Sequence, residues 1–116
     1  MGRLTTHVLD TADGVPAAGV GLTLYRREGD ALRTLKSATT GADGRVAALL
    51  EGEALAPGRY RLVFRAGAYF RARGVALPDP PFLDEVVIDF GVADASAHYH
   101  VPLLVSPWSY STYRGS

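Results

Sequence analysis

In the run Val20-Gly21-Leu22-Thr23-Leu24-Tyr25-Arg26-Arg27, Val20, Leu22 and Leu24 fall on one side of an extended chain, and Gly21, Thr23 and Tyr25 on the other. A period of two belongs to a β-strand with one face buried. The pattern recurs outward in both directions. Glu28-Gly29-Asp30 turns the chain into a second alternating run over residues 32–39, and Pro57-Gly58 precedes a run with Tyr60, Leu62 and Phe64 on one face. Residues 5–10 open the chain as a β-branched and apolar strand, closed by the turn signals Asp13-Gly14 and Pro16. Residues 85–92 and 97–105 read as two more strands, and Ser106-Pro107 separates the second from a last segment, 108–114.

Residues 67–74, between two glycines, break the alternation and predict a short helix or turn, and residues 78–81 form a Pro-rich crossing loop. Seven or eight strands, one short helix and turn signals at short intervals predict an all-β antiparallel sandwich. The 116 residues suit a single domain, 1–116, with one core.

Charge and composition exclude several function classes. Twelve basic side chains balance twelve acidic ones, and no segment is dense enough in Lys or Arg to neutralise a phosphate backbone, so no nucleic-acid partner is expected. No cysteine is present, which removes disulfides, thiolate metal ligands and thiol nucleophiles. The start, Met1-Gly2-Arg3-Leu4-Thr5-Thr6-His7, carries no apolar run of signal-peptide length, and nothing approaches the ~20 apolar residues of a membrane helix. A soluble cytoplasmic protein with no membrane partner is the expectation.

The chain has three histidines. His98 and His100, two apart on a strand, leave the same face, while Tyr99, Val101 and Leu103 take the core face. His7 sits at an alternating position on the first strand. Three imidazoles with an open fourth position would suit catalytic zinc. The same residues also suit acid–base catalysis near neutral pH, or plain surface hydrogen bonding. Arg45, after the tight turn Asp43-Gly44, reads by itself as a solvated loop charge, and Trp108 as a packing residue. The hydroxyl-rich stretch Ser109-Tyr110-Ser111-Thr112-Tyr113-Arg114-Gly115-Ser116 reads by itself as an edge strand. There is no nucleophile elbow, phosphate loop, nucleotide fingerprint or carboxylate dyad.

Taken in order, these segments resemble one family. Leu4-Thr5-Thr6-His7-Val8-Leu9-Asp10 with Gly14-Val15-Pro16-Ala17 is similar to the opening of the 5-hydroxyisourate hydrolases, relatives of transthyretin, and Asp43-Gly44-Arg45 to their second signature. His98-Tyr99-His100-Val101-Pro102-Leu103-Leu104, Ser106-Pro107 and Tyr110 to Ser116 resemble their third. The resemblance covers essentially the whole chain. It implies a transthyretin-like (prealbumin-like) sandwich of two four-stranded sheets with one short helix, assembled as a homotetramer, a dimer of dimers with active sites opening into a central channel. It implies hydrolysis of 5-hydroxyisourate, an intermediate of urate breakdown toward allantoin, with no cofactor and no metal.

Carried onto this sequence, the implied catalytic residues are His7, Arg45, His100 and Ser116, and the implied substrate contacts are His7, Arg45, His98, Ser111 and Tyr113. The chain departs from the family pattern in Leu83-Asp84, where Phe-Pro is expected, and in Trp108-Ser109, where Phe-Gly is expected. Two rival readings are a non-enzymatic small-molecule carrier, which would need an apolar channel, and a generic sandwich binding module, which would leave the hydroxyl-rich tail unused.

Overall fold

The structure is a computed structural model that describes residues 2–116. Its strands are β1 (Arg3–Asp10), β2 (Val15–Pro16), β3 (Gly21–Glu28), β4 (Ala31–Thr39), β5 (Arg45–Glu51), β6 (Gly58–Arg65), β7 (Glu85–Val92), β8 (His98–His100), β9 (Leu103–Val105) and β10 (Tyr110–Ser111). One α-helix, α1 (Ala66–Ala72), follows β6, and a single 3₁₀ turn (Gly52–Ala54) follows β5.

The alternating runs that predicted strands form the first sheet, β4-β3-β6-β7, antiparallel throughout. Leu22 and Leu24 of β3, Leu62 and Phe64 of β6, and Val86 and Ile88 of β7 point into the core from this side. The second sheet is built around β1. One edge of β1 carries β5 and β2 end to end, both antiparallel, and the other carries β8 and β9, both parallel. β10 extends the sheet beyond β9. The six segments therefore occupy four strand positions, and two four-stranded layers enclose the core. The parallel pairing departs from an all-antiparallel expectation. β1 and β8–β9 come from opposite ends of the sequence, so no hairpin dictates their direction.

Two segments differ from their predicted extents. Residues 97–105 form two strands, because Pro102 has no N–H to give to the ladder and the Val101 carbonyl accepts instead from Thr6 Oγ1 at 2.7 Å. The register survives the break, with Arg3 opposite His98 and Val8 opposite Leu103. The last segment pairs as a strand only at Tyr110–Ser111, then rejoins the sheet through an isolated bridge between Gly115 and His100. The predicted helix is present as α1, with Tyr69 and Phe70 buried.

The end of β1 is tied to α1 by a buried carboxylate. Asp10, 1% exposed, accepts at Oδ1 from the backbone N–H groups of Ala12 and Asp13 (3.0 and 3.1 Å) and at Oδ2 from the Tyr69 hydroxyl (2.9 Å). Arg73 stands 3.5 Å from Oδ2 and bonds Asp13 at 2.8 Å. Burial, and next the bond to Asp10, push the Tyr69 phenol up to about 12. Tyr69→Phe strips one donor from a buried carboxylate, so it should lower stability by about 1–3 kcal/mol. Urea unfolding would read this as a lower midpoint at unchanged slope. An unchanged midpoint would show that the bond contributes nothing net.

Candidate active site

Alternation along β1 divides its side chains between two environments. Leu4, Thr6, Val8 and Asp10 point inward and are buried, while Arg3, Thr5, His7 and Leu9 stand on the outer face. The Cα partners of Thr5 and His7 across the two edges are His100 on β8 and Arg45 on β5. Three strands thus bring their polar residues to one patch of the outer face. A cleft of about 560 Å³ opens there, lined by Arg3, Thr5, Arg45, His98, His100 and Ser116, together with Asp43 and the start of β5.

Each of the three imidazoles is held by a specific local contact. Thr5 Oγ1 lies 2.8 Å from His98 Nε2 and 2.8 Å from His100 Nδ1, a single hydroxyl between two imidazoles. His7 Nε2 is 2.8 Å from the Asp43 carbonyl, which can only accept, so Nε2 carries the hydrogen and Nδ1 of the neutral ring keeps its lone pair. Asp43 Oδ1 in turn accepts from the Arg45 backbone N–H at 3.0 Å, fixing the turn that delivers Arg45. Gly44 at the apex has φ +77°, and a Cβ there would stand 2.4 Å from the Val8 carbonyl and 3.3 Å from the His7 ring. Only glycine lets this turn press against β1.

The tail reaches the cleft through the bridge at Gly115, whose N–H donates to the His100 carbonyl at 2.7 Å and whose carbonyl accepts from His100 N–H at 3.1 Å. A Cβ on Gly115 would come within 3.0 Å of His100 Cβ, so the absent side chain allows the close approach that leaves Ser116 lining the cleft. Arg114 lies over the Tyr99 ring at 4.5 Å, and Thr112 Oγ1 donates to the Pro102 carbonyl at 2.6 Å.

The electrostatics favour a neutral His100. Its pKa is held below the usual imidazole value, first by burial and then by the positive charge of Arg45 and the neighbouring His98 and His7. A neutral imidazole beside a guanidinium can take a proton from water while the guanidinium receives negative charge. Among the described residues, no group of three His, Cys, Asp or Glu side chains is placed to hold one metal ion. The His98 and His100 ring centroids are 6.3 Å apart.

Of the residues expected from sequence, Arg45, His98, His100 and Ser116 line this cleft, and His7 stands beside it, held by Asp43. Tyr113 and Ser111 do not join them within this chain. Tyr113 is exposed and lines a separate shallow depression with Phe90, Tyr99 and Arg114, and exposed Ser111 pairs with Leu104 at the sheet edge. Sequence reasoning missed Thr5, Arg3 and the Asp43 carbonyl. The period of two put Thr5 on the face of His7, but a threonine in a strand reads as an ordinary β-former, and Arg3 lay outside the strand predicted over residues 5–10, which starts at Arg3 in the structure.

Comparison with known proteins bears on the fold and the family. A curated 5-hydroxyisourate hydrolase from Ralstonia nicotianae is 62% identical over 117 residues, covering all of both chains. The crystal structure of an (S)-allantoin synthase superposes with a TM-score of 0.94 at 42% identity, over 99% of this chain, which spans 44% of the synthase's length. The structure of Klebsiella pneumoniae 5-hydroxyisourate hydrolase matches over the full length of both chains, with a TM-score of 0.84 and 39% identity. A family model described as the HIUase/Transthyretin family matches residues 4–115, and the chain belongs to that family.

Proposed function

We propose that this chain hydrolyses 5-hydroxyisourate to 2-oxo-4-hydroxy-4-carboxy-5-ureidoimidazoline, acting as a single domain over residues 1–116. The observation that carries the reading is the convergence of His98, His100, Arg45 and Ser116 on one cleft with His7 beside it, in a chain of this family. The named relatives are hydrolases of this substrate over their full length.

The substrate holds a cyclic amide, and water must add to its carbonyl carbon. A neutral imidazole of the His7–His100 pair takes a proton as the new C–O bond forms. Arg45 holds the oxyanion that develops on the carbonyl oxygen with its planar fork of donors. When the tetrahedral adduct collapses, the C–N bond breaks and the imidazolium returns its proton to the leaving nitrogen. General acid–base catalysis supplies about 10²–10⁴-fold, so the reaction requires neither a metal nor a covalent nucleophile. Ser116 and His98 complete the wall against which the ring is held.

The active form is a homotetramer, a dimer of dimers. Support for it comes from the open outer face that carries the cleft and from the exposed Trp108, Phe82, Tyr110 and Tyr113, which a second copy would cover. Tyr113 and Ser111, which lie away from the cleft of their own chain, then serve the substrate channel from a neighbouring copy. The reading keeps the cytoplasmic location that is the default expectation from the sequence. Light scattering should give a native mass four times the 12.3 kDa chain. A monomer with full turnover would remove the channel from the account.

Purified protein, stripped with a chelator, should hasten the decay of 5-hydroxyisourate generated in the cuvette from urate by urate oxidase. His7→Asn, Arg45→Gln and His100→Asn should each slow turnover at least ~100-fold while the variants still fold, and His98→Asn should cost less than His100→Asn. Loss of activity on chelation, restored by zinc, would replace the acid–base account with a metal one. The pH profile tests the base. Because His100 titrates below ~6.5, kcat/KM should stay high through neutrality and fall only as pH drops through that lowered value. An acidic limb above neutrality would assign the base elsewhere.

A further inference from the structure

We infer that Thr5 is a positioning residue that fixes the proton on His100 Nδ1 and ties the His98 and His100 rings into one hydrogen-bonded unit. The inference rests on the reading of His100 as an acid–base group and names what holds that group ready. Its geometric basis is the pair of 2.8 Å contacts from Thr5 Oγ1 to His98 Nε2 and His100 Nδ1.

A threonine hydroxyl has one hydrogen to donate, and its oxygen can accept others. It therefore cannot donate to both imidazoles, and at least one of the two ring nitrogens must carry a hydrogen. Two arrangements of the neutral pair satisfy all three groups. In one, His100 Nδ1–H donates to Oγ1 and Oγ1–H donates to His98 Nε2, leaving His100 Nε2 bare. In the other the chain runs backward, and His100 Nε2 carries the hydrogen.

The surroundings favour the first. The Nδ1 side of His100 is committed to Thr5 and its Cδ2 edge rests on Gly115, so Nε2 is the nitrogen left for the cleft. Arg3, Arg45, His7 and His98 share that region with His100, and the carboxylate of Asp43 is engaged by the Arg45 backbone N–H. Facing guanidinium groups, a ring nitrogen presents its lone pair more favourably than an N–H. The same arrangement also accommodates catalysis. When Nε2 gains a proton from water, Nδ1–H still donates to Oγ1 and Oγ1–H still donates to His98, so no member loses a partner as the charge appears.

Thr5 is built to stay where it is. It is 7% exposed, and its β-branched side chain has restricted χ1 freedom. Its carbonyl accepts from Val101 N–H at 2.9 Å, and the next residue, Thr6, bonds the Val101 carbonyl. Among the described residues, Oγ1 has no hydrogen-bond partner other than the two rings.

The test reads the tautomer directly, through proton–nitrogen correlation spectra of the imidazoles in the nitrogen-labelled protein, alongside turnover. In the unaltered protein His100 should show a hydrogen-bearing Nδ1 and a bare Nε2. Thr5→Val, which keeps the shape and loses the hydroxyl, should abolish that pattern and lower kcat about 10-fold or more with KM within about twofold, since a base in the wrong tautomer loses most of its effect. Thr5→Ser should restore both readouts. A bare Nδ1 in the unaltered protein overturns the inference without any variant having to fold. So does a Thr5→Val protein that keeps both the pattern and kcat. The spectra do not depend on the substrate, so a protein with the expected tautomer but no 5-hydroxyisourate turnover would sink the proposed function and leave the role of Thr5 standing.

Discussion

Everything that matters in this molecule hangs on β1 having both of its edges occupied. Arg3–Asp10 is bonded on one side to β5 and β2 and on the other to β8 and β9. An interior strand can spend one face entirely on the core, and β1 does so with Leu4, Val8 and the satisfied polar groups of Thr6 and Asp10. Its other face is then held with the rigidity of the core although it meets solvent. A catalytic constellation placed there inherits that precision without a loop having to be ordered for it.

The neighbours of β1 are fitted to the same strand at close range. β5 carries a register shift between the partners of Leu4 and Thr6, so extra residues bulge beside Thr5 while Arg45 still lands opposite His7. At the end of that stretch Gly44 seats its backbone against Val8, its carbonyl accepting from Val8 N–H at 2.8 Å. On the far side Gly115 does the equivalent for His100. These two glycines lie on opposite edges of one cleft, and each is a position where a side chain would push a functional group away.

How far the sequence could be read follows from which contacts are local. The period of two was enough to put His98 and His100 on one face and Tyr99 and Val101 in the core, because it depends only on residues one apart. It could not say that His7 faces Arg45, since that depends on which strand docks on which edge of β1, a question decided by the packing of the whole sandwich. Nor could it choose the parallel direction of β8 and β9. Pro102 did carry a local signal, and a strand drawn straight through it was the less physical choice. The family resemblance supplied Arg45 and Ser116, which alternation alone would have left as a loop charge and a tail. It also grouped Tyr113 and Ser111 with the histidines, and within one chain they stand apart from the cleft.

The charge of the cleft ties these points together. Arg3 and Arg45 line it together with Asp43, whose Oδ1 accepts from the Arg45 backbone N–H, and with Ser116. The positive charge of Arg45 acts on His100 and would act on a molecule bound in the same cleft. Burial first, and then the charge of Arg45 with the neighbouring His98 and His7, hold His100 below the usual imidazole value, and the same guanidinium would favour an oxyanion formed beside it. A carboxylate in place of either arginine would raise the imidazole pKa and repel the oxyanion, so both effects would move against catalysis together. The hydroxyl of Thr5 and the Asp43 carbonyl each hold their histidines in place, so that a ring nitrogen of all three has a partner on the face that β1 presents.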